Sequence, residues 1–428
     1  MPSVDKPRAT TTGVSALSSL SVQFLIGFVV AILVPALVRY GRFDHAVRAD
    51  GFIGSFWGAT FGLLLGLVML RRVTAYPGTK TFGYILPSFA GSFGLVLAIL
   101  LAFRIGYSRL YLGSTFATMI AVMFVLSIYL LPRTRRRVYV VPGAELDGLD
   151  FPGGVERITL RDPVVPVDRS AMIVADFRHD HGPAWERMLA EAAVQGRTVY
   201  HSKQLLESLT GRVSIEHLSE NNFGSLLPNL AWRKAKRAVD VIAAILLLPI
   251  FLPLFLVIGI LIRLDSSGPM FFRQERVGVG GRPFNIVKFR TMYALGDEPE
   301  ASLTTAITTV GDQRVTRMGR WLRRTRIDEL PQIFNILAGQ MSWIGPRPEA
   351  VALSHWYDVE IPFYIYRHIV RPGITGWAQV NQGHVTDLVD IYRKLQFDFY
   401  YIKNFSVWID ILIALRTLRV IWNGFGSK

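Results

Sequence analysis

The sequence predicts a membrane protein in which apolar helices precede a small α/β domain and a larger α+β domain. Hydrophobic residues make up 51% of the 428 positions, and the mean hydropathy is +0.33, which is high for a soluble protein. Four apolar runs in the first third of the chain are each long enough to cross a bilayer as a helix. Beyond these runs, short β-rich stretches alternate with a helical pattern.

The apolar runs are expected to form a four-helix transmembrane bundle within residues 18–136. They lie at 18–39, 51–70, 82–103 and 113–132. Residues 1–17 are polar and are expected to form a disordered cytoplasmic tail, since the apolar run behind them is too long for a signal peptide. Basic residues follow the second and fourth runs, and the positive-inside rule places these loops in the cytoplasm. No run has a charge at its middle, which favours an anchor over a transport path.

The charge and the cysteine count limit the classes of partner. The formal net charge is +15, and the chain contains no cysteine, so disulfides, thiolate metal sites and cysteine nucleophiles are excluded. A positive charge of this size suits nucleic acid, anionic lipid headgroups or a phosphate-rich substrate. The basic residues flank apolar runs or lie among acidic residues. We therefore expect anionic membrane lipids, and not nucleic acid, as partners.

Residues 137–220 are expected to form a small Rossmann-like α/β domain in the cytoplasm. The predicted strands lie at 138–141, 164–165, 172–175 and 198–200, with a helix at 183–195. The glycines after the first strand do not fit the G-x-G-x-x-G pattern, so no dinucleotide is assigned. Residues 221–231 are expected to be a linker.

Residues 232–264 are apolar enough for a fifth span, but they are predicted to form a re-entrant helix. Pro249 and Pro253 interrupt the middle of the run, and an internal proline kinks a helix. A fifth span would place residues 265–428 on the opposite side of the membrane from the basic loops. A broken helix that enters and leaves on the same face avoids this, so we favour it over the span.

Residues 265–428 are predicted to form an α+β domain. Stretches 269–278 and 283–292 read as a β-hairpin, and a glycine cluster between them suits a turn better than a phosphate cradle. Helices are expected near 315–325, 330–338 and 348–368. The aromatic-rich segments 356–369 and 400–422 are amphipathic enough to lie in the membrane interface, with core packing as the competing interpretation.

One segment of this domain combines arginines with two adjacent carboxylates, Asp328 and Glu329, ahead of Pro331. Arginines at helical spacing precede it, at Arg314, Arg317, Arg320 and Arg323. Guanidiniums on one helix face repel one another unless an anion such as a phosphate lies among them. Pro331 suits a first helical turn, where an anion or a divalent cation bridging carboxylate and phosphate is favoured. The alternative is a capped, solvated helix whose arginines and carboxylates simply pair.

Four segments taken in order resemble the bacterial sugar transferases, which are monotopic polyprenyl-phosphate phosphoglycosyl transferases. They are Lys-Phe-Arg-Thr-Met at 288–292, Asp-Glu-Leu-Pro-Gln at 328–332, Gly-Pro-Arg-Pro-Glu at 345–349, and Arg-Pro-Gly-Ile-Thr-Gly-Trp-Ala-Gln-Val-Asn at 371–381. The resemblance covers about residues 232–428. The preceding spans and small domain are similar to the larger branch of the family, which initiates exopolysaccharide or capsule synthesis with a hexose 1-phosphate.

The resemblance implies transfer of a hexose 1-phosphate from a UDP-sugar, with glucose or galactose expected, to undecaprenyl phosphate with release of UMP. It implies that Asp328 is the nucleophile of a covalent phosphosugar intermediate, and that Glu329 together with Asp328 binds a Mg²⁺ cofactor. Residues at matching positions that are implied to bind substrate are Lys288, Arg290, Arg323, Arg347 and Gln379. A nucleotide-linked substrate is cytoplasmic, which favours a catalytic domain facing the cytoplasm at the bacterial inner membrane.

Several alternatives stay open at this point. Gln379 fits a structural turn as well as a substrate contact. The family's helix break is commonly Ser-Pro, whereas this chain has Leu252-Pro253 with Pro249 added, so the break point is open. A membrane scaffold for polysaccharide assembly and a five-span transporter or sensor are the alternative functions. A homodimer formed through the small domain or the spans is a further hypothesis.

Overall fold

The computed structural model describes most of the chain, and the described part is mostly helical. It covers residues 17, 19–76, 79, 81–130, 136–143, 155–168, 172–213, 228, 230–293, 312–382 and 388–423. The chain divides into two compact units, Met1–Gly211 and Arg212–Lys428. The predicted tail and linker lie almost entirely outside the described residues.

Four helices of the first unit are long and apolar enough to cross a membrane, as the four runs predict. They are α1 (Leu20–Tyr40), α3 (Phe52–Thr74), α4 (Thr81–Ala102) and α5 (Arg109–Leu130), with the short α2 (Phe43–Arg48) after α1. Helix α1 contains a π-helical segment, Phe28–Leu33. The hydroxyl of Tyr111 on α5 donates to the backbone carbonyl of Ile32 in this segment at 3.0 Å, which satisfies a polar group inside the bundle.

Helices α3 and α4 approach closely because glycines recur every fourth residue on α3. A Cβ atom added at Gly66 would lie 2.5 Å from the ring of Phe89, and one at Gly62 would lie 3.1 Å from the ring of Phe93. Small residues at this spacing let the backbones of two membrane helices come together. Both phenylalanines are buried in the aromatic and aliphatic core of the bundle.

The small α/β domain contains a parallel four-stranded sheet in the order β2-β1-β3-β4. Its elements are β1 (Arg136–Val140), β2 (Val155–Thr159), β3 (Met172–Ala175), α6 (Pro183–Val194), β4 (Val199–His201) and α7 (Ser202–Thr210). Alternate residues of the central strands enter two separate apolar clusters, one containing Val174 and the other Ile173. This alternation buries both faces of the sheet, as expected for parallel strands.

The predicted strand at 164–165 is wrong, and β2 takes its place. Pro163 and Pro166 flank the two valines, and prolines cannot donate to a sheet ladder. Val164 is instead 67% exposed. The three other predicted strands and the helix between the last two are confirmed to within two residues.

The first helix described in the second unit is α8 (Leu230–Asp265), a helix of 36 residues that contains both Pro249 and Pro253. It is a fifth helix long and apolar enough to cross a membrane. Aliphatic side chains around the two prolines are exposed, including Ile250, Leu252 and Leu256. The break predicted from the prolines does not divide the helix into two separate elements.

The segments of α8 before and after the two prolines both contact the same α+β domain. Before the prolines, Arg237 donates to the backbone carbonyls of Ile336 and Leu337 at 2.5 and 3.1 Å. After them, the ring of Phe255 lies 5.9 Å from that of Phe334. A straight helix would separate residues 237 and 255 by about 27 Å. The segments before and after the prolines therefore both contact one short helix of the domain.

The α+β domain consists of a hairpin followed by short helices. Strands β5 (Phe271–Val277) and β6 (Pro283–Phe289) pair antiparallel with Phe271 opposite Phe289, which confirms the predicted hairpin. Gly280 and Gly281 in the turn have positive φ angles, so the glycine cluster serves the turn. The later elements are α9 (Arg317–Thr325), a 3₁₀ helix (Ile327–Gln332), α10 (Ile333–Leu337), β7 (Ser342–Ile344), α11 (Val351–Glu360), a second 3₁₀ helix (Tyr364–Ile369), β8 (Gly373–Thr375), α12 (Trp377–Asn381), α13 (Leu388–Lys403) and α14 (Val407–Asn423).

The predicted helix at 348–368 is too long. Helix α11 ends at Glu360 because Pro362 disfavours helical backbone at the residue before it. In the aromatic-rich segments, Tyr364 and Tyr401 are buried, as core packing predicts. Leu418 near the end of α14 is 67% exposed, and a position of these segments in the membrane interface stays a prediction.

Candidate active site

The two adjacent carboxylates lie where the chain turns sharply after α9. Arg326 has a φ of 59°, a left-handed backbone conformation that is costly for a residue with a side chain. The 3₁₀ helix that follows carries Asp328 and Glu329 in its first turn, and both residues are buried. The turn thus directs two carboxylates into the domain near a helix N-terminus, as the sequence predicts.

Glu329 is held by three cationic side chains. Its Oε1 lies 2.7 Å from Nη2 of Arg347, 3.2 Å from Nζ of Lys288 and 3.9 Å from Nη1 of Arg326. Burial disfavours the charged form, but Arg347 and Lys288 outweigh it and keep the pKa of Glu329 well below its usual range. Glu329 is therefore a fixed anion that orients two of the predicted substrate-binding cations.

Asp328 has the opposite environment. Its Oδ1 atom is buried and has no hydrogen-bond partner among the described residues. Burial, reinforced by the negative charge of Glu329, raises the pKa of Asp328 to about 6. An unpaired buried carboxylate oxygen is costly for stability. A carboxylate that is poorly solvated and still ionises near neutral pH has the properties that a nucleophile needs.

Lys288 and Arg347 reach the carboxylates from different elements. Lys288 lies on β6, and burial lowers its pKa to about 8 although Glu329 opposes this shift. Arg347 follows β7 between two prolines, and its side chain stays 30% exposed. The hairpin and the loop after β7 therefore place two cations around Glu329, and part of Arg347 remains open to an anion.

The arginines predicted to share one face of a helix are divided by the fold. Arg323 donates from Nε to the hydroxyl of Thr291 at 2.9 Å, and its charge is near that of Asp328. Arg314 precedes α9 and pairs with Asp312 at 2.6 Å. The remaining arginines of α9 point away from the domain core and are exposed: Arg317, Arg320 and Arg324.

Two predicted substrate-binding residues lie in other surroundings. The guanidinium of Arg290 donates to the backbone carbonyls of Ser266 and Ser267 at the end of α8. The amide of Gln379 donates to the carbonyl of Ile374 at 3.0 Å and braces the turn before α12. The structure does not bring either side chain into contact with the carboxylate pair, and their roles toward substrate stay predictions.

The cleft beside Lys288 and Arg347 includes residues that the sequence did not single out. Arg276 and Gln332 line this cleft with them. In the hairpin, Arg276 lies opposite Phe284, and it also forms an isolated antiparallel β-bridge with Ala350. These backbone pairings place Arg276 at the cleft. The amide nitrogen of Gln332 is buried without a hydrogen-bond partner among the described residues. The position of Gln332 next to Pro331, in the segment 328–332, is the sequence feature that could have identified it as a site residue.

The loop that carries Arg347 rests on a buried ionic network. Arg367 donates to the backbone carbonyl of Arg347 and to Oδ2 of Asp398, each at 2.9 Å. Glu349, two residues beyond Arg347, pairs with Lys394 and with Arg367. Arg367 is almost fully buried. The network therefore joins α13 to the loop and fixes the position of the Arg347 backbone.

The predicted Mg²⁺ can be tested against the donors that the structure provides. In the described ranges, no three histidine, aspartate or glutamate residues lie together as a metal site. The pair Asp328 and Glu329 supplies two carboxylates, and Oδ1 of Asp328 lacks a partner. Mg²⁺ commonly uses one or two carboxylates and takes its other ligands from substrate phosphates and water. The residues present fit such an ion when a phosphate substrate is bound.

The fold and the site together define a membrane-associated protein whose buried carboxylate pair is surrounded by cations suited to phosphate chemistry. A family model described as "Bacterial sugar transferase" matches residues 231–424. Over 412 residues the chain is 42% identical to the UDP-N-acetylgalactosamine-undecaprenyl-phosphate N-acetylgalactosaminephosphotransferase of Aeromonas hydrophila, with 95% of both chains covered. The chain therefore belongs to the bacterial sugar transferase family and is a membrane-bound transferase.

Other relatives match a smaller share of the chain. The UDP-glucose:undecaprenyl-phosphate glucose-1-phosphate transferase of Caulobacter vibrioides is 46% identical over 198 residues, which are 46% of this chain and 72% of the relative. The Escherichia coli transferase with the same description is 43% identical over 198 residues, 46% of this chain and 41% of the relative. The range matched by the family model, 231–424, contains the carboxylate pair and the cations around it.

Proposed function

We propose that this protein transfers a sugar 1-phosphate, from a hexose or an N-acetylhexosamine, from a UDP-sugar to undecaprenyl phosphate, giving UMP and an undecaprenyl diphosphate-linked sugar. This would be the first membrane step of exopolysaccharide or capsule synthesis. The observation that carries the proposal is the unpartnered, buried oxygen of Asp328 beside a Glu329 that two cations hold ionised. The activities of the relatives named above support the same reaction.

The proposed chemistry consists of two displacements at one phosphorus atom. In the first, a carboxylate oxygen of Asp328 attacks the phosphorus that carries the sugar. The bond from this phosphorus to the bridging oxygen breaks, and UMP leaves with that oxygen. In the second, an oxygen of the lipid phosphate attacks the same phosphorus, and the Asp328 carboxylate leaves unchanged. The enzyme is restored without a separate hydrolysis step.

The surrounding residues would stabilise charge instead of moving protons. Phosphoryl transfer depends mainly on positioning and on neutralising the phosphate oxygens. Arg347 offers a planar fork to a phosphate, while Lys288 offers a compact charge beside it. A Mg²⁺ ion held by Asp328 and Glu329 would neutralise the diphosphate of the substrate when bound. Glu329, already paired, would keep Lys288 and Arg347 oriented in the free enzyme.

We propose that α8 is re-entrant and that the catalytic domain faces the cytoplasm at the inner membrane. The convergence of Arg237 and Phe255 on one short helix supports a bend at the prolines. A fluorescent protein fused after residue 428 is expected to fluoresce in living cells, and alkaline phosphatase at the same position is expected to be inactive. Active phosphatase would contradict the re-entrant arrangement and restore the fifth span.

The sugar can be identified with purified full-length protein in nanodiscs that contain undecaprenyl phosphate. UDP-N-acetylgalactosamine, UDP-glucose and UDP-galactose would be compared by the release of UMP. We expect most release from UDP-N-acetylgalactosamine, because the relative with that activity matches 95% of both chains. UDP-glucose is the second candidate, since it is named as the substrate of the two relatives that match 46% of this chain. Absence of UMP release from every sugar would favour the scaffold alternative.

The rate of UMP release is expected to depend on pH in a bell shape. As pH falls through about 6, Asp328 becomes protonated and loses its nucleophilic form. As pH rises through about 8, Lys288 loses the proton that lets it bind phosphate. The measurement is kcat/KM for the UDP-sugar between pH 5 and 9, a range that includes both pKa values. Lys288→Arg should remove the alkaline limb, because guanidinium stays charged; an unchanged alkaline limb would contradict the assignment.

A further inference from the structure

The outward face of α9 carries three arginines and a tryptophan that the proposed reaction does not use. Arg317, Arg320, Trp321 and Arg324 follow one another at spacings of three, one and three, which places them on one helix face. All four are exposed, Trp321 to 48%. Within the described part of the chain, the three guanidiniums make no hydrogen bond or ion pair. Like charges at this spacing repel one another.

The direction of this face is fixed by packing on the other side of α9. Leu322 is fully buried, and a Cβ atom added at Gly319 would lie 2.0 Å from the backbone oxygen of Thr291. The hydroxyl of Thr316 caps the helix by accepting from the backbone nitrogen of Gly319 at 2.9 Å. Helix α9 therefore cannot rotate to bury its arginines, and Trp321 is held among them.

The same face begins where the apolar helix α8 ends. The carboxylate of Asp265, the last residue of α8, accepts from the backbone nitrogen of Met318 at 3.2 Å. The last turn of α8 exposes Leu261 and Leu264, with Leu264 at 79%. Exposed leucines beside a polar helix end mark the depth at which hydrocarbon gives way to headgroups. Helix α9 lies at this boundary, where tryptophan is also enriched in membrane proteins.

We propose that the Arg317-Arg320-Trp321-Arg324 face of α9 binds the headgroups of anionic phospholipids. Guanidiniums form paired hydrogen bonds with phosphate oxygens, and an anionic leaflet would relieve the repulsion among the three arginines. Trp321 would enter the interface between headgroups and acyl chains. Because α9 leads through Arg326 to Asp328, this contact would also fix the catalytic pair relative to the bilayer surface. The proposal does not depend on which sugar is transferred, or on the covalent intermediate.

The absence of cysteine makes a direct test practical in the full-length protein. A single cysteine in Trp321→Cys would carry a fluorophore in nanodiscs of phosphatidylcholine, with or without phosphatidylglycerol, that contain headgroup-spin-labelled lipid. Arg282→Cys at the hairpin turn is the matched position, since six residues of strand separate it from the base of the hairpin by about 20 Å. In anionic nanodiscs, we expect the quenching of the label at 321 to be at least about twice the quenching of the label at 282.

Charge variants then separate headgroup binding from general attraction. In the Trp321→Cys background, the triple variant R317Q/R320Q/R324Q is expected to lose the extra quenching that phosphatidylglycerol causes. The control variant R273Q/R282Q/R393Q removes the same charge from other exposed arginines, and it is expected to retain the extra quenching. Equal quenching at 321 and 282 would show that α9 faces water and would overturn the proposal. Equal quenching at 321 in neutral and anionic nanodiscs, or equal loss in both triple variants, would also overturn it.

Discussion

Replacing Asp328 by asparagine is expected to lower the rate of UMP release by at least about 10³-fold while making the folded protein more stable. Asparagine has nearly the same shape but cannot form the acyl phosphate. The stability gain follows from burial, which raises the pKa of Asp328 from 3.8 to about 6. The folded state therefore loses stability as pH rises from about 4 to 6, and at neutral pH the penalty is on the order of 3 kcal/mol. Asparagine carries no such penalty.

The test needs both activity and Tm from the same purified variants. Asp390→Asn is the matched control, because Asp390 is 41% exposed and its carboxylate has only a surface ion pair with Arg393 and a long hydrogen bond of 3.5 Å from Gln382. Both measurements should stay near those of the wild type. Incubation with UDP-sugar alone should add the mass of a sugar phosphate to the wild-type peptide that contains Asp328. An Asp328→Asn protein with full activity, or a sugar phosphate on another residue, would contradict the mechanism.

Replacing Arg367 by leucine is expected to destabilise the catalytic domain by about 3–5 kcal/mol. The change leaves Asp398 without the guanidinium that lies 2.9 Å from it and removes one of the two cations of Glu349. It also removes the hydrogen bond to the backbone carbonyl of Arg347, so the remaining activity should fall as well. We expect a decrease in Tm of about 10 °C, measured in detergent at neutral pH.

Arg393→Leu provides the comparison on the neighbouring helix α13. Arg393 and Asp390 form an ion pair in which both side chains are more than 40% exposed, and such pairs contribute little to stability. A shift in Tm of less than about 2 °C is expected for this variant. If Arg367→Leu were as stable as Arg393→Leu, the buried network would not support the Arg347 loop. Retention of full activity in an unstable Arg367→Leu protein would separate stability from positioning.

Part of the fold follows directly from local patterns in the sequence. Apolar runs of about 20 residues define membrane helices without tertiary information, because the bilayer thickness sets their length. The hairpin of β5 and β6 was predictable because a glycine-rich turn joins two strand-like runs. The pattern was misleading at 164–165, where two prolines remove the backbone donors of a short apolar run. It was also misleading after Glu360, where Pro362 ends a helix whose amphipathic pattern continues.

The sequence by itself determined the family, the membrane helices and the carboxylate pair, because each is carried by residues close together in the chain. Tertiary structure alone decided which distant cations meet that pair. Lys288 and Arg347 both reach Glu329 from elements far apart in sequence, whereas Arg290 is held at the end of α8. It also gave the two adjacent carboxylates unlike surroundings, a paired Glu329 and an unpartnered Asp328. The physical reason is that burial and neighbouring charge, which set the pKa of a carboxylate, come from residues that folding brings together.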